Sequence, residues 1–385
     1  MKIAIVGENY YPTVGGIQEH IYHQARFLRA AGHDARVVTG LKKVPRWIGP
    51  RDEDWVIRVG DSVRFGTMGT FTDLTIGPRV AARMRRLFET EKFDLVHVHG
   101  PNDFGLPLLT YLFYKGPIVA TLHSAFHHSP GRTIAAPWYR WVMRHTDAVI
   151  AVSPLAAATM GRYADFDATV IPNGVQVADF AAGRRMKAFD DGRKNIVYLG
   201  RLEPRNGPDL LLAALPAVVA AHPDVRLLLA GAGPMDAELR AQLPEALRDR
   251  VHFLGLVDNE ARPDLYASAD AFVIPARFGG TFSIMVLEAL AAGVPIVATP
   301  FVDPEHRDEH WTPVRLTRDY TPEAIAEGLV EVLGQDPAER VALGRRVVGE
   351  YDWNRVGQRI LGVYEKVLAT GHVHHGRPGH SARPR

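Results

Sequence analysis

Short apolar runs recur along the chain, each followed by a stretch with helical spacing. Ile3 to Val6 is the first, and it leads into a loop ending in Gly15 and Gly16. Ile17 to Ala31 then follows a 3.6-residue period and stops at Gly32, a residue type common just past helix ends. Ala35 to Val38 supplies the next strand, so the chain opens as βαβ. The alternation continues at Leu95–Val98, Ile118–Thr121 and Ala148–Val152. Val170–Asp179, with Pro172, Asn173 and Gly174, reads as a turn-rich connection, after which the pattern restarts. Asn195–Leu199 predicts a strand and Gly207–His222 a helix; Arg226–Leu229, Val251–Leu254, Asp270–Ile274 and Pro295–Val297 predict further strands. Apolar strands alternating with amphipathic helices predict an α/β protein with parallel sheets covered on both faces. Tyr351–Leu368 predicts a final helix with an apolar stripe. The tail from Gly371 is polar and rich in Gly, Pro, His and Arg, and is expected to be disordered.

Composition narrows the picture in three ways. A length of 385 residues exceeds one compact core and predicts two domains. The 45 basic and 43 acidic residues nearly balance, so charge gives no reason to propose nucleic acid as a partner. There is no cysteine, which excludes disulfides, thiolate metal sites and cysteine nucleophiles. No apolar run approaches the roughly 20 residues of a membrane span. MKIAIVGENYYP has only a strand-length apolar burst, so the chain is expected to start on its first strand without a signal peptide.

In a doubly wound sheet, ligands sit beyond the C-terminal ends of the strands, and three segments fall there. Thr13-Val-Gly-Gly-Ile-Gln18 follows the first strand; its glycines either admit a phosphate to backbone N–H groups at a helix N-terminus or make a plain tight turn. Gly200-Arg-Leu-Glu-Pro-Arg-Asn-Gly207 places Arg201 where its planar fork could hold a diphosphate, the alternative being a surface Arg in a turn. Pro275 to Glu288 runs a Gly-rich loop into a helix. Glu288 lies about one and a half turns in, either within reach of a ribose diol or buried and capped.

These segments, with ATLHS at His123, IPNGV at 171–175, AGAGP at 230–234, LEALAAG at 287–293 and YDW at 351–353, come in an order that resembles retaining glycosyltransferases of the GT-B fold, family 4. PTVGGIQEH, GPIVAT and Leu-Glu-Pro-Arg are similar in particular to the phosphatidyl-myo-inositol mannosyltransferases. The resemblance covers roughly residues 1–370. It implies two Rossmann-like domains with a cleft between them and a C-terminal helix crossing back to the first. Residues 1–170 with 352–370 would form the acceptor-side domain, 171–351 the nucleotide-sugar domain and 371–385 the tail. It further implies His123 and Arg201 as catalytic residues. Gly15, Gly16, Arg201, Arg205, Asn206, Gly280, Thr281, Phe282, Ser283, Ile284, Met285 and Glu288 would hold the donor, and Gln18 and His123 the acceptor. The co-substrate would be a UDP- or GDP-linked sugar with no cofactor and no metal. The acceptor would be a lipid, glycan or small molecule, and the enzyme would be cytoplasmic or peripheral on the inner membrane face.

The chain departs from the family pattern at three places. The lysine usual before the glycine of the second segment is Asn206, the first of two glutamates spaced before Glu288 is Gly280, and a glycine pair after Thr299 is missing from PFVDPEH. No lysine lies between Lys194 and Lys366, leaving Arg205 as a partial substitute. Losing one electrostatic contact to a leaving group typically costs on the order of 10² to 10³ in rate. Either the donor sugar is unusual or the site is crippled, so a non-catalytic nucleotide-binding or partner-supporting role is the alternative. A pyridoxal-phosphate phosphorylase is disfavoured by the absent lysine. Other signals carry less weight. His306-Arg-Asp-Glu-His310 matches a zinc pattern, Asp52-Glu-Asp54 mimics a metal-binding DxD, and His127 and His128 follow His123; each is expected to be a solvated segment. Arg79, Arg83, Arg85 and Arg86 share a helix with Val80, Met84, Leu87 and Phe88, which predicts either an anionic-membrane contact or a solvated face.

Overall fold

The computed structural model describes residues 1–12, 15–42, 49–50, 53–67, 70–124, 130–277, 283–300 and 313–370. Two compact units result, one of Met1–Pro172 with the chain from Gly357 onward, the other of Asn173–Val356.

The first unit carries β1 (Lys2–Gly7), β2 (Asp34–Leu41), β3 (Val56–Asp61), β4 (Val63–Thr67), β5 (Thr70–Leu74), β6 (Leu95–His99), β7 (Ile118–Leu122), β8 (Ala148–Ala151) and β9 (Ala168–Val170). Seven of these form a parallel sheet in the order β3-β2-β1-β6-β7-β8-β9, and β4 and β5 make a separate antiparallel pair. β1 lies inside the sheet, with Ile5 between Val37 of β2 and His97 of β6. Its residues Ile3 to Val6 are buried, as a central parallel strand covered on both faces requires. The connection after β1 leads to β2 on one side, whereas the connection after its neighbour β6 leads to β7 on the other. That reversal opens a crevice at the C-terminal ends of β1 and β6.

The second unit repeats the plan with β10 (Lys194–Leu199), β11 (Val225–Ala230), β12 (Val251–Gly255), β13 (Ala271–Ile274), β14 (Ile296–Ala298) and β15 (Val314–Leu316). Their order is β12-β11-β10-β13-β14-β15, so the reversal falls between β10 and β13. All of β11 is buried, Arg226 included. That guanidinium is accommodated because it donates to Asn195 Oδ1 at 2.6 Å and to both carboxylate oxygens of Asp191 at 3.0 and 2.8 Å.

The final helix, Trp353–Thr370, begins in the second unit and belongs to the first from Gly357 onward. Gly357 makes room for the Phe27 ring, since a Cβ there would lie 2.4 Å from it. No helix among the described residues is long and apolar enough to cross a membrane.

The apolar runs read from the sequence coincide with β1, β2, β6, β7, β8 and β10 to β14. The sequence reading omitted β3, the β4–β5 pair, β9 and β15. β9 and β15 have three residues each, too few for any period, and each borders its sheet. The predicted turn-rich connection also holds a short helix, Val177–Ala181.

Glycines at the β10–β11 end let backbone approach backbone. Gly231 adopts a φ of 137°, and a Cβ there would sit 1.8 Å from Gly200 O. Gly231→Ala is therefore expected to destabilise the fold by about 2–4 kcal/mol, combining a forbidden φ with a backbone clash. Gly161→Ala, with open space around it, should change stability by less than about 0.5 kcal/mol. Urea unfolding of both variants checks this, and equal midpoints would contradict it.

Candidate active site

In the first unit, the chemistry gathers at the C-terminal ends of β1, β6 and β7. The helix Gly16–Ala30 starts at Gly15 without a side-chain cap, and its first helical bond runs from Glu19 N–H to Gly15 O at 3.2 Å. The N–H groups of Gly16, Ile17 and Gln18 thus precede the helical ladder and carry the partial positive charge of the helix start. Gly15 is extended, with φ 170°. A Cβ there would come within 2.7 Å of Gln18 Oε1, so the bare glycine lets the Gln18 side chain fold over it.

His123 stands one residue beyond β7, half-buried, with Nε2 2.7 Å from Nδ1 of His99, the last residue of β6. The rings of His99 and His123 stack at 5.0 Å, those of His97 and His99 at 4.4 Å, and the buried His20 ring lies 5.0 Å from His123. At the base, His97 Nε2 meets Thr121 Oγ1 at 2.6 Å, while Nδ1 meets Gln24 Nε2 at 2.7 Å and the Tyr364 hydroxyl at 2.5 Å. Burial, reinforced by the neighbouring rings, holds His97, His99 and His123 well below the usual imidazole range. The stack is therefore neutral at pH 7. Among the described residues no group of three or more His, Asp or Glu is placed to hold a metal ion.

Glu8, just past β1, lies beside this crevice. Its carboxylate accepts the Thr75 N–H at 3.0 Å and the Leu106 N–H at 2.5 Å, tying the end of β5 and the helix Leu106–Phe113 to β1. Burial pushes it up to about 7 in spite of those two donors.

The second unit concentrates cations instead. Past β10, Glu203 bridges Arg201 at 3.1 Å and Arg205 at 3.0 Å, so the two guanidinia share one carboxylate. The Arg201 side chain remains 55% exposed. Asn206 turns inward, its amide donating to Arg201 O at 2.8 Å, and so braces this loop. Past β13, Arg277 donates to both oxygens of Asp209 at 2.8 and 2.6 Å and to Pro204 O at 2.6 Å. Gly207, with φ 67°, makes this closeness possible, since a Cβ would lie 1.9 Å from Pro275 O.

The helix Ile284–Ala291 follows β13 and starts at Ser283 without a side-chain cap. Ser283 Oγ is buried and has no hydrogen-bond partner among the described residues. With the first N–H groups at Ile284 and Met285 it forms a donor set suited to an anion. Glu288 is buried inside this helix. Arg262 pairs with Oε1, and Tyr266 OH donates to Oε2 at 2.7 Å. Glu288 is thus buried with both carboxylate oxygens hydrogen-bonded within the second unit. Gly280, Thr281 and Phe282 lie outside the described residues, as do His127, His128, His306, His310 and Asp52.

Four groups escaped the sequence reading: His97 and His99, His20 with Gln24, Tyr364, and Arg277. His97-Val-His99 did carry a signal, because residues two apart on a strand share a face. Nothing local announces Tyr364, which is 267 residues from the ring it touches.

Comparison with known proteins follows this division. Residues 14–179 match the family model described as Glycosyltransferase Family 4, and residues 193–335 the one described as Glycosyl transferases group 1. Phosphatidyl-myo-inositol mannosyltransferase of Mycobacterium tuberculosis is 34% identical over 383 residues, covering 96% of this chain and 98% of that protein. Among solved structures, Anabaena HepE in complex with UDP-glucose superposes with a TM-score of 0.72 at 17% identity, over 95% of this chain and 100% of the other. Sucrose-phosphate synthase from Thermosynechococcus elongatus gives 0.69 at 19%, over 96% and 100%. The fold is the GT-B architecture that these glycosyltransferases share.

The neutral stack has a thermodynamic signature. A native His97 that excludes the proton is opposed, below about pH 6.5, by an unfolded chain that takes it up. Its stabilising contribution is complete above that pH and is lost as pH falls. The stability of the wild type relative to His97→Gln should drop by about 1.4 kcal/mol per pH unit below pH 6.5. Thermal or urea unfolding of both proteins between pH 7.5 and 5.5 measures this; a difference that grows on acidification would show a charged His97.

Proposed function

The chain belongs to glycosyltransferase family 4 and is a glycosyltransferase that uses nucleotide sugars, and from that premise we propose that it transfers a hexose of the mannose type from a nucleoside diphosphate to a hydroxyl of an inositol phospholipid, with retention of anomeric configuration. The observation that carries the donor half is the pair of anion-seeking features beyond two adjacent strands. Arg201 stands exposed past β10, and an uncapped helix follows β13 with the buried Ser283 hydroxyl, which has no partner among the described residues. A diphosphate leaving group develops charge as the glycosidic bond breaks, and donors already in place stabilise it without reorganising. Arg201, with Arg205 beside it, supplies fixed charge; Ser283, Ile284 and Met285 supply dipoles. In the first unit, Gly16 and the N–H groups after it form a separate donor set suited to an anion.

The sugar and the acceptor rest on relatives. The mycobacterial protein that is 34% identical is named a phosphatidyl-myo-inositol mannosyltransferase, and the structural neighbour HepE holds UDP-glucose. His123, neutral and half-buried, fits a hydrogen-bonding role toward the transferred sugar, and Gln18 one toward the acceptor head group. Glu288 is assigned to the ribose while keeping Arg262 and Tyr266. Asn206 braces the Arg201 loop, so the missing lysine contact leaves a cradle of two arginines.

A lipid acceptor calls for a surface that meets the bilayer. In the helix Pro78–Glu91 the apolar residues Val80, Met84 and Phe88 are buried, while Arg79, Arg83, Arg85 and Arg86 are exposed. With its apolar stripe already used, this helix would adhere to anionic lipid by charge alone, and so weaken with salt.

The test is turnover of GDP-mannose with vesicles containing phosphatidylinositol, in wild type and Arg201→Ala. We expect mannolipid formation in the wild type and a fall in kcat on the order of 10² to 10³ in the variant. Equal rates in the two proteins would contradict the assignment of Arg201.

A further inference from the structure

The histidine stack of the first unit does more than fill space. His97 and His99 project from the same face of β6 and lie nearly parallel, 16° apart. The lower ring is fully engaged. Its Nδ1 lies within hydrogen-bond distance of Gln24 Nε2 and the Tyr364 hydroxyl, and its Nε2 within that of Thr121 Oγ1. The upper ring is engaged on one side only. His99 Nδ1 faces His123 Nε2 at 2.7 Å, whereas His99 Nε2 is buried with no hydrogen-bond partner among the described residues.

Two ring nitrogens at 2.7 Å share one proton, which leaves two neutral arrangements. In one, His99 donates from Nδ1, and its Nε2 is a bare lone pair. In the other, His123 donates from Nε2, and the proton of His99 must then sit on the partnerless Nε2. A buried N–H without an acceptor is the rarer and costlier defect. We propose that His99 is a positioning residue that donates to His123 Nε2, locking His123 as the neutral tautomer protonated on Nδ1 and holding its ring in place.

The consequence concerns the reaction. His123 then meets substrate as an N–H donor, suited to a sugar oxygen, with its basic nitrogen already occupied by His99. Gln24, Thr121 and Tyr364 hold His97, and His97 supports His99 by stacking, so the tautomer is set by residues from β6, β7 and two helices. The proposal rests on the reading that His123 faces the transferred sugar.

The experiment uses the full chain labelled with ¹⁵N-histidine. Long-range ¹H–¹⁵N correlation spectra distinguish the two neutral tautomers, and comparison with His123→Gln assigns His123 among the 17 histidines. We expect the Nδ1–H form in the wild type. His99→Asn keeps an N–H donor close to the Nδ1 position and should preserve it; His99→Leu should shift the proton toward Nε2. In GDP-mannose turnover, His99→Leu should lose about 10- to 100-fold in kcat, with little change in KM for GDP-mannose and substantial recovery in His99→Asn. A wild-type His123 protonated on Nε2 would overturn the proposal even if the leucine variant did not fold. So would an unchanged tautomer in His99→Leu, or an Asn variant as impaired as the Leu variant. Full activity in His123→Gln would instead remove the underlying reading of His123, and the tautomer data would then judge His99 separately.

Discussion

Strands that run parallel oblige the chain to cross over a face of the sheet to begin each new one, and those crossovers bury both faces. In both units the connections after two adjacent interior strands run in opposite directions, after β1 and β6 in the first and after β10 and β13 in the second. The polar groups gathered at these strand ends depend on that reversal. The loops on either side of it diverge, and what they carry is left at the strand ends, unburied by the next crossover. Glycine permits the rest. At Gly207 and Gly231 a side chain would collide with the backbone of a neighbouring loop, so the segments that hold Arg201, Arg205 and Arg277 can approach one another only because those positions are bare.

The two reversals are filled with opposite chemistry. Around β6 and β7 stand three imidazoles held uncharged by burial, hydrogen-bonded to an amide, two hydroxyls and each other except at His99 Nε2. Around β10 and β13 stand guanidinia in partial balance with Glu203 and Asp209. A leaving diphosphate needs fixed positive charge, and a sugar hydroxyl needs directed but uncharged hydrogen bonds. The division fits the proposed reading, in which the second unit takes the donor and the first the acceptor.

Much of this was legible in the sequence, for physical reasons. Strands such as Val225–Ala230 are buried on both faces and announce themselves as continuous apolar runs. The loops past β1, β10 and β13 announced themselves through glycine pairs and arginines placed just after such runs. β4 and β5 hold only two apolar residues each among five, and β9 and β15 are three residues long, so none makes a continuous apolar run. Within the site, sequence located Glu288 and Asn206 but left their orientation undecided. Burial against Arg262 and Tyr266 decides the first, and a bond to the Arg201 carbonyl the second. The histidine stack stayed hidden because a histidine inside a strand looks like any other strand residue until its neighbours from β7 and from distant helices are known.

The central claim, that the second unit holds a nucleoside diphosphate by fixed protein charge, is tested most directly by isothermal titration of the full chain with GDP and with UDP in the presence of EDTA. The account predicts saturable binding of one nucleotide, of exothermic or mixed signature, that is weakened at least tenfold in Arg201→Ala. Failure of both nucleotides to bind, or equal affinity in wild type and variant, would contradict it.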